Sequence, residues 1–302
     1  MRKLVGAVVR WSGFSAGARA LCARRRITMV VYHDPAPDVL DRHLAYYTSH
    51  YTVIDMNTVE MALLEGRWDR LPPYPLVITL DDGHRGNAAL AEVFRRYRVR
   101  PIIYLSSQVV GTQRPFWWQT DGARQLGIDA LKRLPDHQRR ACLAEVGTDP
   151  ERPVTERQAL TWDEVREMAA VADFGGHTRT HPILPRCADS DCHDEIAGSK
   201  AEVEAAVGVA CRHFAYPNGD HGDREAAYLR EAGYATARGT RVGWIGPEDD
   251  PYRLKGIVVS DEASVDWLVV QLTGLPGWLR QARRRRRRTG QTAQGHPAPV
   301  AG

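Results

Sequence analysis

The alternation along this chain limits its possible folds most. Short uninterrupted apolar runs recur at "ITMVVYH" (27–33), "YTVIDM" (51–56), "PLVITL" (75–80), "PIIYL" (101–105), "DFGGH" (173–177), "HFAYP" (213–217), "YATA" (234–237) and "GIVVS" (256–260). Helix-like stretches separate them, over 38–50, about 86–98, 161–171, 189–207 and 224–233. The 161–171 stretch opens with Thr161 and carries Glu164 three residues on, a capping box. Apolar strands alternating with helices predict a parallel sheet covered on both faces. Seven or eight such units predict an α/β barrel, whose chemistry sits where strands end and loops begin.

Against that frame, "TLDDGHRGN" (79–87) stands out, because the third apolar run ends on two carboxylates, Asp81 and Asp82. Adjacent side chains on extended backbone point apart, so one can bind an ion while the other faces a water. Alone, Asp-Asp-Gly reads as a turn. A second signal, "GGHTRTHP" (175–182), follows another short strand and spaces His177 and His181 four apart. It is not HExxH, since Thr178 stands at the glutamate position. Two imidazoles and one carboxylate make a facial divalent-metal site with open positions. An ion there would bring the pKa of a bound water to about 7 and polarise a carbonyl. A third signal, "FAYPNG" (214–219), reads locally as a tight turn and chemically as a loop offering backbone N–H groups to an oxyanion.

Charge and cysteine usage narrow the class. The net charge is +4, yet the single run Arg283–Arg288 carries six positive charges, so the rest of the chain is near neutral at −2 and argues against a nucleic-acid-binding face. The five cysteines are odd in number and form no CxxC, which argues against a disulfide framework or zinc ribbon and for a reducing, cytoplasmic compartment. The N-terminal apolar stretch stops at Arg10, too short for a signal peptide or a membrane span. It reads as an amphipathic helix, either packed on the domain or resting on a membrane surface. The expected organisation is a helical segment over 1–26, a barrel over 27–280 and a basic disordered tail over 281–302, small, polar and proline-bearing after its arginines. The tail reads as solvated chain or as a binder of anionic lipid.

The ordered set TLDDG, HTRTH and FAYPNG resembles the polysaccharide deacetylase family, carbohydrate esterase family 4, as do "VVYHDPAP", "RPFWW" and "DEIAGSKAEVEAAVG"; the resemblance covers about 27–260. It implies a distorted (β/α) barrel with about seven parallel strands, and hydrolysis of an N-acetyl or O-acetyl group on a sugar. It implies Asp81 as catalytic base, Asp82, His177 and His181 as ligands of a divalent ion, typically Zn2+, and an acetylated glycan as partner, in a setting such as exopolysaccharide biosynthesis. Tyr216 and Asn218 fall in the oxyanion and substrate-binding loop.

The chain departs from the family in four places, one of them Asn218, which replaces the tyrosine of the third motif. Leu80 replaces the usual phenylalanine. Ala215 stands where many members carry an arginine that braces the base, so the brace for Asp81 must come from elsewhere. The final strand, "YRLKGIVVS", lacks the leucine-x-histidine general acid; His33 and His221 are the candidates. Trp117 and Trp118 suit either a sugar-stacking platform or a buried pair. The missing arginine and histidine motivate a competing reading, a catalytically weakened carbohydrate-binding barrel acting in glycan assembly at the membrane surface.

Overall fold

The structure, a computed structural model, describes residues 2–282. The strands are β1 (Thr28–Tyr32), β2 (Thr52–Val53), β3 (Pro75–Leu80), β4 (Ile102–Leu105), β5 (Asp173–Gly176), β6 (His213–Ala215), β7 (Thr236–Arg238) and β8 (Ile257–Val258). All pair in parallel in the order β7-β6-β5-β4-β3-β1-β8. β2 shares one edge of β3 with β4: β2 pairs with Pro75 and Leu76, β4 with Thr79 and Leu80. The segment after β7 carries the curl round to β1. Leu254 donates to Ala237 O and accepts from Gly239 N–H, and Ile257 and Val258 lie beside Val30 and Val31. This is the distorted (β/α) barrel that the alternation predicts. Its strands are buried along their whole length in β1, β3 and β4, as a sheet covered on both faces requires.

Twelve helices surround the sheet among the described residues. The first five are α1 (Arg2–Trp11), α2 (Phe14–Cys22), α3 (Pro37–His50), α4 (Met56–Leu64) and α5 (Ala91–Tyr97). Then come α6 (Asp121–Leu126), α7 (Ile128–Leu131), α8 (Asp136–Glu145), α9 (Trp162–Met168), α10 (Asp189–Val207), α11 (Asp223–Glu231) and α12 (Val265–Leu272). The capping box at α9 forms in both directions: Glu164 N–H donates to Thr161 Oγ1 at 3.1 Å and Thr161 N–H to Glu164 Oε2 at 2.7 Å.

Several elements differ from the sequence expectation. The run 51–56 keeps only two strand residues, because Asp55 caps α4 by accepting from Thr58 N–H at 2.9 Å. The N-terminal segment is two helices, parted at Gly13, whose φ is 77°. α6 to α8 form a small layer of their own around Trp117, Ala123, Leu131 and Leu143. The five cysteines are unpaired. Among the described residues no helix is long and apolar enough to cross a membrane. The tail expected over 281–302 lies outside the described residues except for Gln281 and Ala282.

Candidate active site

The signals converge because each sits at the C-terminal end of a strand. Asp81 follows β3, His177 follows β5, Tyr216 follows β6, and His33 follows β1. They meet at a cavity of about 460 Å³, lined by His33, Asp81, Asp82, Trp118, His177, His181, Tyr216 and Asn218.

The adjacent aspartates are separated by their backbone. Asp82 has φ 74° and Gly83 the same value, both left-handed. At Gly83 a side chain is doubly excluded, since a Cβ would lie 2.7 Å from Leu105 Cδ2. The turn sends the two carboxylates to different partners. Asp82 Oδ1 lies 3.2 Å from His177 Nε2 and 3.3 Å from His181 Nε2, and its Oδ2 lies 3.1 Å from His84 Nε2. Asp81 Oδ1 instead accepts from Nη2 of Arg238, at the end of β7. Arg238 is buried, and its Nη1 donates to Gly239 O at 3.2 Å.

The loop bearing the two histidines is held from below. Thr178 and His181 both adopt left-handed φ, 66° and 59°. Such conformations persist only where the surroundings enforce them. Here Glu195 of α10 accepts from Arg179 N–H at 2.7 Å and Thr180 N–H at 2.9 Å through Oε2, and from Thr180 Oγ1 through Oε1 at 2.5 Å. Thr178 Oγ1 accepts from His181 N–H at 3.0 Å. Above the loop, the Trp118 ring lies 4.1 Å from the His181 ring, centroid to centroid, and Trp117 Nε1 donates to His181 O at 3.0 Å.

Asp82, His177 and His181 are the one group of potential metal ligands that converges among the described residues, with donor atoms within 4.8 Å of one another. The chemistry of the set fits a cation. His177 Nδ1 lies 2.6 Å from Ala215 O. A carbonyl only accepts, so His177 carries a proton on Nδ1, and Nε2 is the nitrogen that faces Asp82 and would ligate an ion there. Ala215, which replaces the family's arginine, thus orients a histidine through its backbone. Burial pushes His181 down to about 4, which keeps its imidazole neutral, and its Nδ1 is buried without a partner. Burial opposes ionisation of Asp82, but hydrogen bonds from His177, His181 and His84 hold its carboxyl well below the ordinary range. Burial likewise opposes ionisation of Asp81; the charges of Arg238, then His177 and His33, outweigh it and hold that carboxyl low as well. Both aspartates are therefore anionic at neutral pH.

The structure brings together Asp81, Asp82, His177, His181, His33, Tyr216 and Asn218. It separates two others. Trp117 does not line the cavity: its indole is buried among Ala123, Leu131 and Leu143, with Arg139 stacked 4.4 Å from the ring, and Trp118 takes the wall position instead. His221 stacks on Tyr216 at 4.4 Å, with Nδ1 donating to Gly219 O at 3.0 Å, and is not among the lining residues. Sequence reasoning missed His84, Arg238 and Lys132. His84 stood within the quoted "TLDDGHRGN". Arg238 ends the "YATA" strand, at the barrel edge where chemistry collects. Lys132, whose Nζ donates to Asn218 Oδ1 at 3.0 Å, carried no local signal.

This geometry, a barrel with an Asp-Asp pair and two histidines at its C-terminal edge, defines a carbohydrate esterase-type hydrolase. The family model for polysaccharide deacetylase matches residues 69–237. The chain belongs to the polysaccharide deacetylase family and is an enzyme of that class, a hydrolase that removes acetyl groups from glycans. Solved structures share the fold. The Streptococcus pyogenes deacetylase PplD, in complex with acetate, superposes with a TM-score of 0.61 at 17% identity, over 82% of this chain and 98% of that one. IcaB from Ammonifex degensii gives 0.59 at 18%, over 82% and 95%. A de-N-acetylase from Aggregatibacter actinomycetemcomitans gives 0.57 at 14%, over 82% and 99%. No curated protein sequence matches the chain.

Proposed function

We propose that this protein hydrolyses an N-acetyl group on a sugar unit of a glycan, using a divalent ion held by Asp82, His177 and His181, with Asp81 as base. The observation that carries this reading is the division of labour between neighbours. Asp82 is committed to the two histidines, while Asp81, one residue away, faces the cavity braced by Arg238. A bound ion, for which zinc is the natural occupant of a two-histidine, one-carboxylate set, supplies polarisation of the acetyl carbonyl and acidity to the attacking water.

The chain's own residues do the rest. Asp81 accepts the proton of the water as it adds to the carbonyl carbon. A backbone N–H of the 216–219 loop donates to the developing oxyanion, and the donor can be named. Tyr216 N–H is spent on Arg238 O, Pro217 has none, and Gly219 N–H is spent on Tyr216 O. Asn218, held at φ 59°, supplies it. His33 lines the same cavity as that loop. It protonates the leaving nitrogen as the carbon–nitrogen bond breaks, and so fills the general-acid role ahead of His221. Trp118 offers a ring face to the sugar. The preference for an N-acetyl over an O-acetyl group draws on the fold shared with the Aggregatibacter de-N-acetylase.

The competing carbohydrate-binding reading loses its motive. Arg238 provides the brace that Ala215 cannot, and His33 provides a titratable group in the cavity. The test is acetate release from paired N-acetylated and O-acetylated oligosaccharides, before and after chelation. N-acetyl release that stops on chelation and returns with zinc supports the proposal. Full release after exhaustive chelation refutes the role of the ion; release from O-acetyl substrates alone refutes the assigned bond.

A further inference from the structure

Large hydrophobic side chains exposed on this protein are not scattered. Ten are exposed among the described residues, and seven of them fall in two short stretches: Val8, Trp11, Phe14 and Leu21, and Leu275, Trp278 and Leu279. Trp11 is 78% exposed and Leu21 87%. Single exposed apolar residues are ordinary, but a concentration of this kind marks an interaction surface.

The two stretches are joined through α12. α1 lies close along it: a Cβ on Gly6 would stand 2.9 Å from Asp266 Cβ, and Arg10 Nη1 donates to Asp266 Oδ1 at 2.8 Å. Val9 faces the core while Val8 and Trp11 face out. α12 ends at Leu272, three residues before Leu275.

The charge on these stretches has one sign. Residues 1–27 contain seven lysines and arginines and no carboxylate; residues 267–302 contain seven arginines and no carboxylate. All 37 aspartates and glutamates lie between them, in 28–266. Arg24, Arg25 and Arg26 are exposed directly after α2, and Arg280 directly after Leu279. Asp266 pairs with Arg10 and Glu248 lies 3.6 Å from Arg26, but neither stretch carries an acid of its own. Exposed indole, phenyl and leucine side chains interleaved with arginine are the composition of a face that enters the headgroup region of an anionic bilayer. A second copy of the same face would meet it with like charge.

From these features we infer that the α1–α2 and 275–280 surface docks on an anionic lipid bilayer. Docking also fixes where the active site faces, because Gly277, Arg280 and Gln281 line the catalytic cavity, and Gln281 Nε2 donates to Thr240 O at 3.2 Å in its wall. The cavity mouth therefore opens beside the lipid surface. Its substrate class is a glycan attached to a lipid or emerging at the membrane. That last step rests on the deacetylase reading; lipid docking does not.

The test is flotation of the full-length protein with phosphatidylcholine vesicles, with and without phosphatidylglycerol. Wild type floats with the anionic vesicles, and added salt reduces the bound fraction. Replacing Trp11, Phe14 and Leu21 together by glutamate lowers vesicle affinity by at least about tenfold. Acetate release from a soluble acetylated oligosaccharide stays at the wild-type rate, since none of the three lines the cavity. Deleting 283–302 weakens flotation further. Absence of flotation, equal flotation of wild type and triple variant, or a dimer that dissociates in the triple variant would each overturn the inference. Loss of the deacetylase reading would show separately, as flotation without acetate release.

Discussion

Arg238 and Asp81 form a buried ion pair across 157 residues of sequence, from the end of β7 to the end of β3. Their strands are not neighbours in the sheet; the pair spans the barrel mouth and fixes Asp81, the proposed base, beside the Asp82–histidine cluster. Removing one partner of a buried pair leaves an uncompensated charge and costs about 3–5 kcal/mol. Arg238→Met is therefore expected to lower the unfolding free energy by that order. A misplaced base also costs on the order of 10²-fold in kcat. Arg238→Lys should recover part of both. Denaturant melts and acetate-release kinetics on the two variants check this, and a Met variant with wild-type stability and rate would break the link.

His84 touches the oxygen of Asp82 that the other two histidines leave open, at 3.1 Å. Its expected role is to orient that carboxylate. Groups supporting a metal ligand in this way are worth about 10–100-fold in affinity. His84→Ala should weaken zinc binding by that factor in competition with a chelator, with the fold retained. Unchanged affinity would reduce His84 to packing against Phe116, which lies 4.6 Å from its ring.

Glu195 reaches the histidine loop from α10 and accepts three hydrogen bonds there. Glu195→Ala strands two part-buried N–H groups, at up to about 1–3 kcal/mol each. The variant should melt earlier and bind zinc more weakly than wild type, whereas Glu195→Gln keeps an acceptor and loses less.

A pH dependence follows from His213, remote from the reacting groups. Burial drives its imidazole down to about 4, against the opposing pull of Glu60. The folded protein thus keeps His213 neutral while the unfolded chain protonates it near the ordinary value of about 6.5. Stability from this residue is complete above that value and is lost as pH falls toward 4, by up to about 3 kcal/mol. His213→Gln should flatten the pH dependence of the melting curve in that window.

The site's first line was legible because each motif is local. Asp81 with Asp82, and His177 with His181, are fixed within a few residues of their strand ends, so strand recognition placed them. Arg238 was not legible, because its role depends on two strands meeting across the barrel. Trp117 and Trp118 were indistinguishable in sequence: which indole faces the cavity depends on the short helical turn at 117–119 and on the α6–α8 layer beneath it. That layer escaped prediction because Gly127 and Pro135 cut it into pieces too short for a clear period. The strand at 51–56 was overestimated for a related reason: β2 shares its edge of β3 with β4, and two residues fill the space.

The central claim is that adjacent aspartates do different work, Asp82 holding the ion and Asp81 taking the proton. The most direct measurement pairs zinc content with acetate release for Asp81→Asn. The account predicts zinc bound at the wild-type level and turnover lowered by about 10²–10⁴-fold. Turnover within tenfold of wild type, with zinc still bound, would contradict it.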